Sequence, residues 1–203
     1  NMAEHRLFDL ESIEVWDAQM SKLGVLIHKK RTTFLDSFIP VFQKFYSEIG
    51  VSAEQSNITY KSQLTGEDFS NLLLKNHKKD SYSQYSNVGV HKDDLIFTIK
   101  GHPIKKFGSQ GQQKSFVIAL RLAQFDWLKE QKKTNPILLL DDIFDKLDAE
   151  RVQKLVQLVT QDYFGQVILS DTDRTRMENL LDSVDVSSKL FEVIMGDVKE
   201  ISR

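Results

Sequence analysis

The first fifty residues carry a helical pattern of apolar positions. Apolar side chains recur at steps of three and four, which predicts one face of an α-helix; this stripe consists of Ile13, Trp16, Met20, Leu23 and Ile27. A second stripe runs from Phe34 to Ile49 and contains Pro40, which predicts a kink or a break just before that residue. We therefore expect two long helices or one bent helix, with the stripe packed on a core. A coiled-coil or partner surface is the alternative.

Shorter elements are predicted between residue 50 and residue 104. The residues Ile58–Tyr60 predict a strand, and a capping box of Thr65 with Asp68 predicts the start of a helix. Residues 80–87 are rich in Ser, Tyr and Gln, which predicts a loop. A strand that ends near Gly101 predicts a hairpin turn there.

The second half of the chain alternates between strand and helix patterns. The apolar runs Ile137–Leu140 and Val167–Leu169 predict strands buried on both faces. Three helices and a last strand are predicted around them: Phe116–Lys132, Ala149–Thr160, Arg174–Leu181 and Leu190–Met195. Buried strands joined by helices predict an α/β fold with a parallel sheet. We place a domain boundary near residue 90, with a helical arm over 1–89 and an α/β part over 90–203.

Composition narrows the functional classes. The chain has 203 residues, of which 40% are hydrophobic and 28% charged, as in soluble globular domains. A net charge of −2 excludes a uniformly basic nucleic-acid binder but leaves room for a local basic face. The chain has no cysteine, which excludes disulfides, thiol catalysis and cysteine zinc sites. No apolar stretch approaches the ~20 residues that cross a bilayer, so no membrane partner is expected.

The first candidate site follows the strand predicted at Ile137–Leu140. Asp141 and Asp142 come directly after it, and ligands of open parallel sheets bind beyond the carboxyl ends of the strands. Mg²⁺ prefers oxygen ligands and keeps several waters, so a single carboxylate is a sufficient protein ligand. The neighbouring carboxylate is suited to orient or deprotonate a water that attacks a γ-phosphate. The alternative is that the two acids simply mark the end of a strand.

The second candidate site is the segment Gly108–Lys114, which precedes a predicted helix. Glycines allow close approach of a ligand to the backbone, and a helix N-terminus favours an anion. No acidic residue occurs from Leu95 to Phe125, whereas five lysine or arginine residues do. This locally positive stretch indicates a nearby triphosphate or nucleic-acid phosphate. An ordinary helix cap with a solvated basic face is the alternative.

Taken together, the two segments resemble motifs of the ABC-type ATPases of DNA repair, most closely the RecF family. Gly108–Lys114 resembles the signature loop of that family, and Leu140–Asp148 resembles Walker B continuing into the D-loop. His91–Leu95 is similar to RecF as well. The resemblance covers residues 88–172, while the first 85 residues resemble the RecF arm only in pattern.

The resemblance implies roles for the residues around Walker B. Asp141 would hold Mg²⁺, and Asp142 stands where ABC ATPases usually carry a catalytic glutamate. Asp142 is one methylene shorter than that glutamate. At the position of the usual switch histidine the chain has no histidine, so Asp171 or Thr172 would act there as a polar sensor.

The resemblance also implies contacts to the ATP that the other subunit of a dimer holds. Ser109 and the backbone of Gly111 would contact the γ-phosphate of that ATP, with Gln110 in the same loop. Gln112 would support the loop. Asp148 would lie at the dimer seam as the acid of the D-loop.

The phosphate loop G-x-x-x-x-G-K-[ST] does not occur in these 203 residues. Because the RecF family carries that loop near the start of a longer chain, we expect a carboxy-terminal fragment of the ATPase head. Without the lysine and the backbone nest of that loop, the main ATP cradle is missing. We therefore expect that these residues alone neither bind ATP tightly nor hydrolyse it.

The resemblance implies a cytoplasmic protein of DNA repair, recombination, replication and the SOS response. An ATP-dependent homodimer would clamp double-stranded DNA near gaps and help to load RecA, with RecO and RecR as partners. A structural chromosome-organising (SMC-like) ATPase head is the alternative. The short helical region and Pro40 argue against its long coiled coil. A transporter-type ATPase subunit fits the Gln-Gly-Gln-Gln signature and the paired aspartates less well.

Overall fold

The computed structural model describes residues 10–50, 54–142 and 144–201, with side chains from Ile13 onward. The chain divides into two compact units. The first contains the described residues up to Gln43 and from Glu54 to Gly108. The second contains those from Lys44 to Gly50 and from Ser109 onward. None of the described helices is both long and apolar enough to cross a lipid bilayer.

The first element is a single helix, α1 (Leu10–Ile49), which runs through Pro40 without a break. Of the two arrangements expected, two helices or one bent helix, the structure therefore has the single helix. Proline costs a helix interior one hydrogen bond and a steric clash. On either side of Pro40, Leu35 and Phe42 are buried, and this packing holds the helix together across the proline.

The apolar stripe of α1 does not all face a core, contrary to the prediction. Trp16 is 62% exposed and Leu23 is 56% exposed, and Ile27 is exposed as well. The buried face is turned by one position, so that Gly24 lies against the ring of Phe69. A Cβ atom at Gly24 would come within 2.4 Å of that ring. The close approach that glycine permits thus selects the packed face of the helix.

The first unit contains a small antiparallel sheet and two further helices. Its elements after α1 are β1 (Ser56–Lys61), α2 (Phe69–Ser83), β2 (Asp94–Ile99), β3 (His102–Pro103) and α3 (Ile104–Phe107). The strand order is β1-β2-β3, and the register pairs Ser56 with Ile99. Since β2 pairs with β1, residues 94–103 lie in the first unit. The assignment of an arm to 1–89 and of a head to 90–203 stays a prediction.

Helix α2 begins and ends differently from the prediction. Its N-cap is Asp68, whose carboxylate accepts from the backbone N–H of Asn71, so the capping role assigned to Thr65 is wrong. The helix continues to Ser83, into the segment predicted as a loop. Phe69 and Leu73 of α2 pack with Leu64 and Val88 in a hydrophobic core of the first unit.

The second unit is the α/β part. Its elements are α4 (Gln110–Lys132), β4 (Leu138–Leu140), α5 (Ala149–Val159), β5 (Val167–Leu169), α6 (Arg174–Asp182), β6 (Leu190–Ile194) and β7 (Asp197–Ile201). Strands β4 and β5 are parallel and α5 connects them, so the predicted α/β fold with a parallel pair is confirmed. Aromatic rings connect the end of α1 to this unit, as Phe45 lies 6.1 Å from Phe164 and Tyr46 lies 5.8 Å from Phe116.

Two expectations about the strands of this unit are wrong. The parallel strands are not buried on both faces, because Leu139 is 66% exposed and its partner Ile168 is 50% exposed. Only the opposite face of this pair is covered within the described residues. The strand near the end is also not the last, because β6 forms a hairpin with β7. Met195 and Gly196 both have positive φ angles, 50° and 92°, which is the conformation that tight hairpins favour.

Candidate active site at the carboxyl edge of the parallel strands

Asp141 and Asp142 lie at the carboxyl edge of the parallel pair. They follow Leu140 directly, and both are exposed. The neighbouring strand ends at Leu169, and the backbone N–H of Ser170 donates to the carbonyl of Leu140 at 3.0 Å. The two strand ends therefore deliver two carboxylates and one hydroxyl to the same edge, where open α/β sheets bind their ligands.

The hydroxyl of Ser170 connects the two aspartates. Its Oγ accepts from the backbone N–H of Asp142 at 3.2 Å and donates to Oδ1 of Asp141. The resemblance pointed to Asp171 or Thr172 at the position of the usual switch histidine and did not single out Ser170. The signal that identifies Ser170 is its place directly after β5, because residues that follow neighbouring parallel strands meet at one edge.

Asp171 is engaged elsewhere. Its side chain is almost fully buried and pairs with Arg176 at 3.0 Å. It also accepts from the backbone N–H of Asp173 at 2.7 Å. The carboxylate of Asp171 is therefore held against the start of α6, whereas Ser170 contacts the paired aspartates. The role of Asp171 or Thr172 as a sensor stays a prediction.

The segment that resembles the signature loop is the start of a helix. Helix α4 begins at Gln110, six residues before the predicted start at Phe116. Ser109 is its N-cap: Ser109 Oγ accepts from the N–H of Gln112 at 3.2 Å, and the Gln112 side chain accepts from the N–H of Ser109 at 2.8 Å. This reciprocal capping box fixes the first turn. Ser109 and Gln110 are exposed, as a residue that contacts a second molecule must be.

Gly111 lies against the segment that leads from β4 into α5. A Cβ atom at Gly111 would come within 3.3 Å of the carbonyl oxygen of Lys146 and 3.4 Å of the guanidinium of Arg151. A side chain at this position would make a tight contact with the Lys146 carbonyl. The glycine therefore permits the close approach of the two segments, in addition to the ligand contact predicted from the resemblance.

Asp148 caps helix α5. Its carboxylate accepts from the N–H of Arg151 at 2.9 Å and forms an ion pair with the guanidinium of the same residue. The backbone hydrogen bond from Arg151, followed by the side-chain bond, lowers the pKa of Asp148 below its ordinary value. Asp148 itself remains exposed, and its contact at a dimer seam stays a prediction.

Lys114 joins the two candidate segments. Its Nζ donates to the backbone carbonyl of Asp142 at 2.8 Å. The helix that Ser109 caps is thereby connected to the end of β4. The sequence placed Lys114 in a locally positive stretch but gave no indication of this bond.

The donor atoms present are those that Mg²⁺ prefers. Asp141 offers carboxylate oxygens and Ser170 a hydroxyl oxygen at the same edge. Within residues 10–50, 54–142 and 144–201, no group of three or more His, Asp or Glu side chains is placed to hold a metal ion. The residues therefore fit the way in which Mg²⁺ is held by one carboxylate, waters and phosphates, and they do not form an all-protein metal site.

Comparisons with known proteins agree with the motifs. No protein-family model matches the chain. The "DNA replication and repair protein RecF" of Flavobacterium johnsoniae is 46% identical over 191 residues, which are 94% of this chain and 53% of that protein. The RecF of Phocaeicola vulgatus is 45% identical over 194 residues, which are 95% of this chain and 52% of that protein.

Solved structures with a similar fold also include RecF. A "recombination mediator protein RecF-ATP in RecFOR pathway" superposes with a TM-score of 0.72 at 26% identity, over 95% of this chain and 51% of that one. An SMC ATPase superposes with a TM-score of 0.51 at 16% identity, over 85% of this chain and 88% of that one. The second likeness concerns the fold alone.

The fold is therefore that of the ATPase heads found in RecF and SMC proteins. Over 94–95% of its length the chain is similar to RecF proteins at 45–46% identity, so the resemblance inferred from its motifs is confirmed. The chain spans about half the length of the curated relatives that it matches.

Proposed function

We propose that this chain is part of a RecF-like, ATP-dependent DNA-binding protein of recombinational repair and replication. ATP drives the dimerisation of the whole protein on double-stranded DNA near gaps, which helps RecA loading together with RecO and RecR in the cytoplasm. The observation that carries the proposal is the convergence at one sheet edge. There the capped start of α4 reaches the Walker B aspartates through Lys114 and Asp142.

The paired aspartates have separate roles in this proposal. Asp141 binds the magnesium ion that accompanies ATP, directly or through water, and Ser170 orients its carboxylate. The ion neutralises charge on the phosphates. Asp142 orients the attacking water and accepts its proton. Its exposure at the sheet edge leaves the carboxylate accessible to that water.

The start of α4 serves the ATP of the partner subunit. The Ser109 hydroxyl and the Gly111 backbone contact the γ-phosphate, with Gln110 and Gln112 in the same turn and Asp148 at the seam between subunits. The exposure of Ser109, Gln110 and Asp148 supports this role. ATP favours the dimer because these contacts exist only in the closed state, and a ligand shifts an equilibrium only through such differential binding.

A substitution at Ser109 tests the dimerisation step in the full-length protein that contains this chain. Ser109→Arg places a bulky side chain where the γ-phosphate of the partner's ATP binds. We expect ATP-dependent dimerisation to be lost in analytical ultracentrifugation, while binding of a fluorescent ATP analogue to the monomer stays within about twofold of wild type. Ser187→Arg, at another exposed serine of the second unit, is the control. Unchanged dimerisation of Ser109→Arg would refute the proposed role of this turn.

The 203-residue chain offers a second test. It lacks the phosphate-loop sequence, so we expect neither tight ATP binding nor hydrolysis from the purified chain. Isothermal titration with ATP and a phosphate-release assay measure both. Steady turnover by this chain would contradict the proposed division of the ATP site.

The interpretation as a RecF-like protein is preferred to the SMC alternative because of the higher sequence identity to RecF. The break expected at Pro40 does not occur, so it no longer argues against a long coiled coil. Identity of 46% to a RecF protein, against 16% to the SMC head, favours RecF.

A further inference from the structure

The backbone of Asp142 has an uncommon conformation. Its φ angle is 46°, in the left-handed region that few residues other than glycine adopt, although aspartate tolerates it better than most. This angle determines the direction in which the side chain leaves the end of β4. A group that holds the backbone of Asp142 in place therefore also places its carboxylate.

Side chains from two elements hold both polar groups of this backbone. The N–H of Asp142 donates to Ser170 Oγ at 3.2 Å, and its carbonyl accepts from Lys114 Nζ at 2.8 Å. The bond from Lys114 is charge-assisted, and such bonds are stronger than those between neutral groups. The backbone of Asp142 is thus bound by Ser170, directly after β5, and by Lys114 on α4.

We propose that Lys114 is a positioning residue for hydrolysis: by binding the carbonyl of Asp142, its ammonium group keeps the Asp142 carboxylate aimed at the attacking water. The inference rests on the proposed function, in which Asp142 is the catalytic base. Lys114 itself does not touch the reacting atoms. It acts through the backbone of the residue that does.

The nature of the acceptor separates this role from a stabilising ion pair. Lys114 donates to a carbonyl, and the Asp142 carbonyl is at an exposed residue that water can reach. Removal of the lysine therefore leaves no charged group buried without a partner, and we expect the variant to fold. What is lost is the restraint on one dihedral angle, and misplacement of a catalytic group by about 1 Å is enough to reduce a rate strongly.

Steady-state ATPase kinetics of the full-length protein test the proposal. For Lys114→Met we expect kcat to fall about tenfold with KM for ATP within about twofold of wild type, because the restraint serves the transition state and not ATP binding. Lys114→Arg, which still donates to a carbonyl, is expected to stay within about threefold of wild type in kcat. Lys132→Met removes the same charge from an exposed position in the last turn of α4 and is expected to leave kcat unchanged.

NMR of the 203-residue chain provides a readout that does not depend on ATP. The Cα and Cβ chemical shifts of Asp142 report its backbone conformation. We expect Lys114→Met to move them, and Lys114→Arg and Lys132→Met to leave them near the wild-type values. Unchanged shifts in Lys114→Met would overturn the inference, whatever the ATPase result.

The two measurements also separate this inference from the proposed function. Shifted Asp142 resonances with a wild-type kcat would overturn the positioning role and leave the proposed function intact. A loss of rate that arises only from weaker ATP binding would do the same. A full-length wild-type protein that does not hydrolyse ATP would overturn the proposed function and the catalytic part of the inference, while NMR still decides whether Lys114 holds Asp142.

Discussion

Each unit contains two adjacent aspartates next to a strand, and Asp93 in the first unit differs from both aspartates in the second unit in its burial and its partners. Asp93 and Asp94 stand at the start of β2, whereas Asp141 and Asp142 follow β4. The side chain of Asp93 is 3% exposed and accepts from Arg31 at 2.7 Å and from the hydroxyl of Tyr60. Asp141 and Asp142 are exposed.

The difference shows how the same residue type serves stability in one place and chemistry in another. In the first unit an arginine and a tyrosine both donate to Oδ2 of Asp93, whose Oδ1 is buried without a hydrogen-bond partner among the residues that the structure describes. Burial raises the pKa of Tyr60, with the bond to Asp93 adding to it. In the second unit Lys114 donates to the backbone carbonyl of Asp142, and both aspartates remain exposed. Variants of the two pairs test this contrast.

The largest effect on stability is expected from Asp93→Ala. The substitution removes the acceptor that the Tyr60 hydroxyl and the Arg31 guanidinium share. Because the Arg31 side chain is 44% exposed and keeps its bond to the carbonyl of Val90, we expect a loss of about 2 kcal/mol. Urea unfolding of the 203-residue chain measures the free energy, and hydrogen exchange of the β1 and β2 amides locates the loss in the first unit. Asp94→Ala, at the exposed neighbour, is the control. Equal losses in the two variants would break the contrast.

A smaller effect is expected from Tyr60→Phe. Asp93 keeps its bond to Arg31 and loses only one neutral donor, which corresponds to about 1 kcal/mol. The aromatic ring, which stacks on His28 with centroids 5.4 Å apart, is retained. The same urea titration measures the change. A loss as large as that of Asp93→Ala would mean that the tyrosine, and not the ion pair, dominates this cluster.

The contrast between the two pairs was only partly accessible from sequence. The position of Asp141 and Asp142 directly after an apolar run predicted their place at the carboxyl end of a strand, because the run and its end are local features of the sequence. The partners of Asp93 were not predicted, since Arg31 lies 62 positions away on α1. Arg31 is the last residue of the basic run His28-Lys29-Lys30-Arg31, and only tertiary packing pairs it with Asp93.

The same reasoning explains the other differences between sequence and structure. The fold class followed from local periodicity, whereas the packed face of α1 depends on the approach of Phe69 to Gly24, which periodicity does not encode. The exposed faces of Leu139 and Ile168 were also unpredictable, because an apolar run indicates a strand but not what covers it. In the site, Ser109 and Asp148 were singled out because their local motifs resemble those of the RecF family. Ser170 and Lys114 act across 28 positions each.

Asp148 is expected to show an intermediate, pH-dependent effect. Its pKa is lowered in the folded chain from an ordinary value of 3.8, so its charge stabilises the fold above that value, and the contribution is lost as the pH falls through the lowered pKa. Asp148→Asn keeps a cap and removes the charge. Because the residue is exposed, the cost at pH 7 is less than about 1 kcal/mol.

Thermal unfolding of wild type and Asp148→Asn from pH 6 to pH 3 measures this dependence. The difference in Tm is expected to be constant at pH 5 and above and to shrink below pH 4. Asp148→Ala, which removes the cap as well, is expected to stay less stable at every pH. A difference for Asp148→Asn that grows as the pH falls would contradict the assignment of the lowered pKa.

The smallest effect on stability is expected from Asp142→Asn, which completes the contrast with Asp93. Asparagine tolerates a positive φ angle as aspartate does, and the bonds from Ser170 and Lys114 reach only the backbone of residue 142. The substitution therefore removes the carboxylate and keeps the local geometry. We expect the free energy of unfolding in urea to change by less than about 0.5 kcal/mol, as for exposed positions in general. A loss above about 1 kcal/mol would show that this carboxylate, like that of Asp93, is part of what holds its unit together.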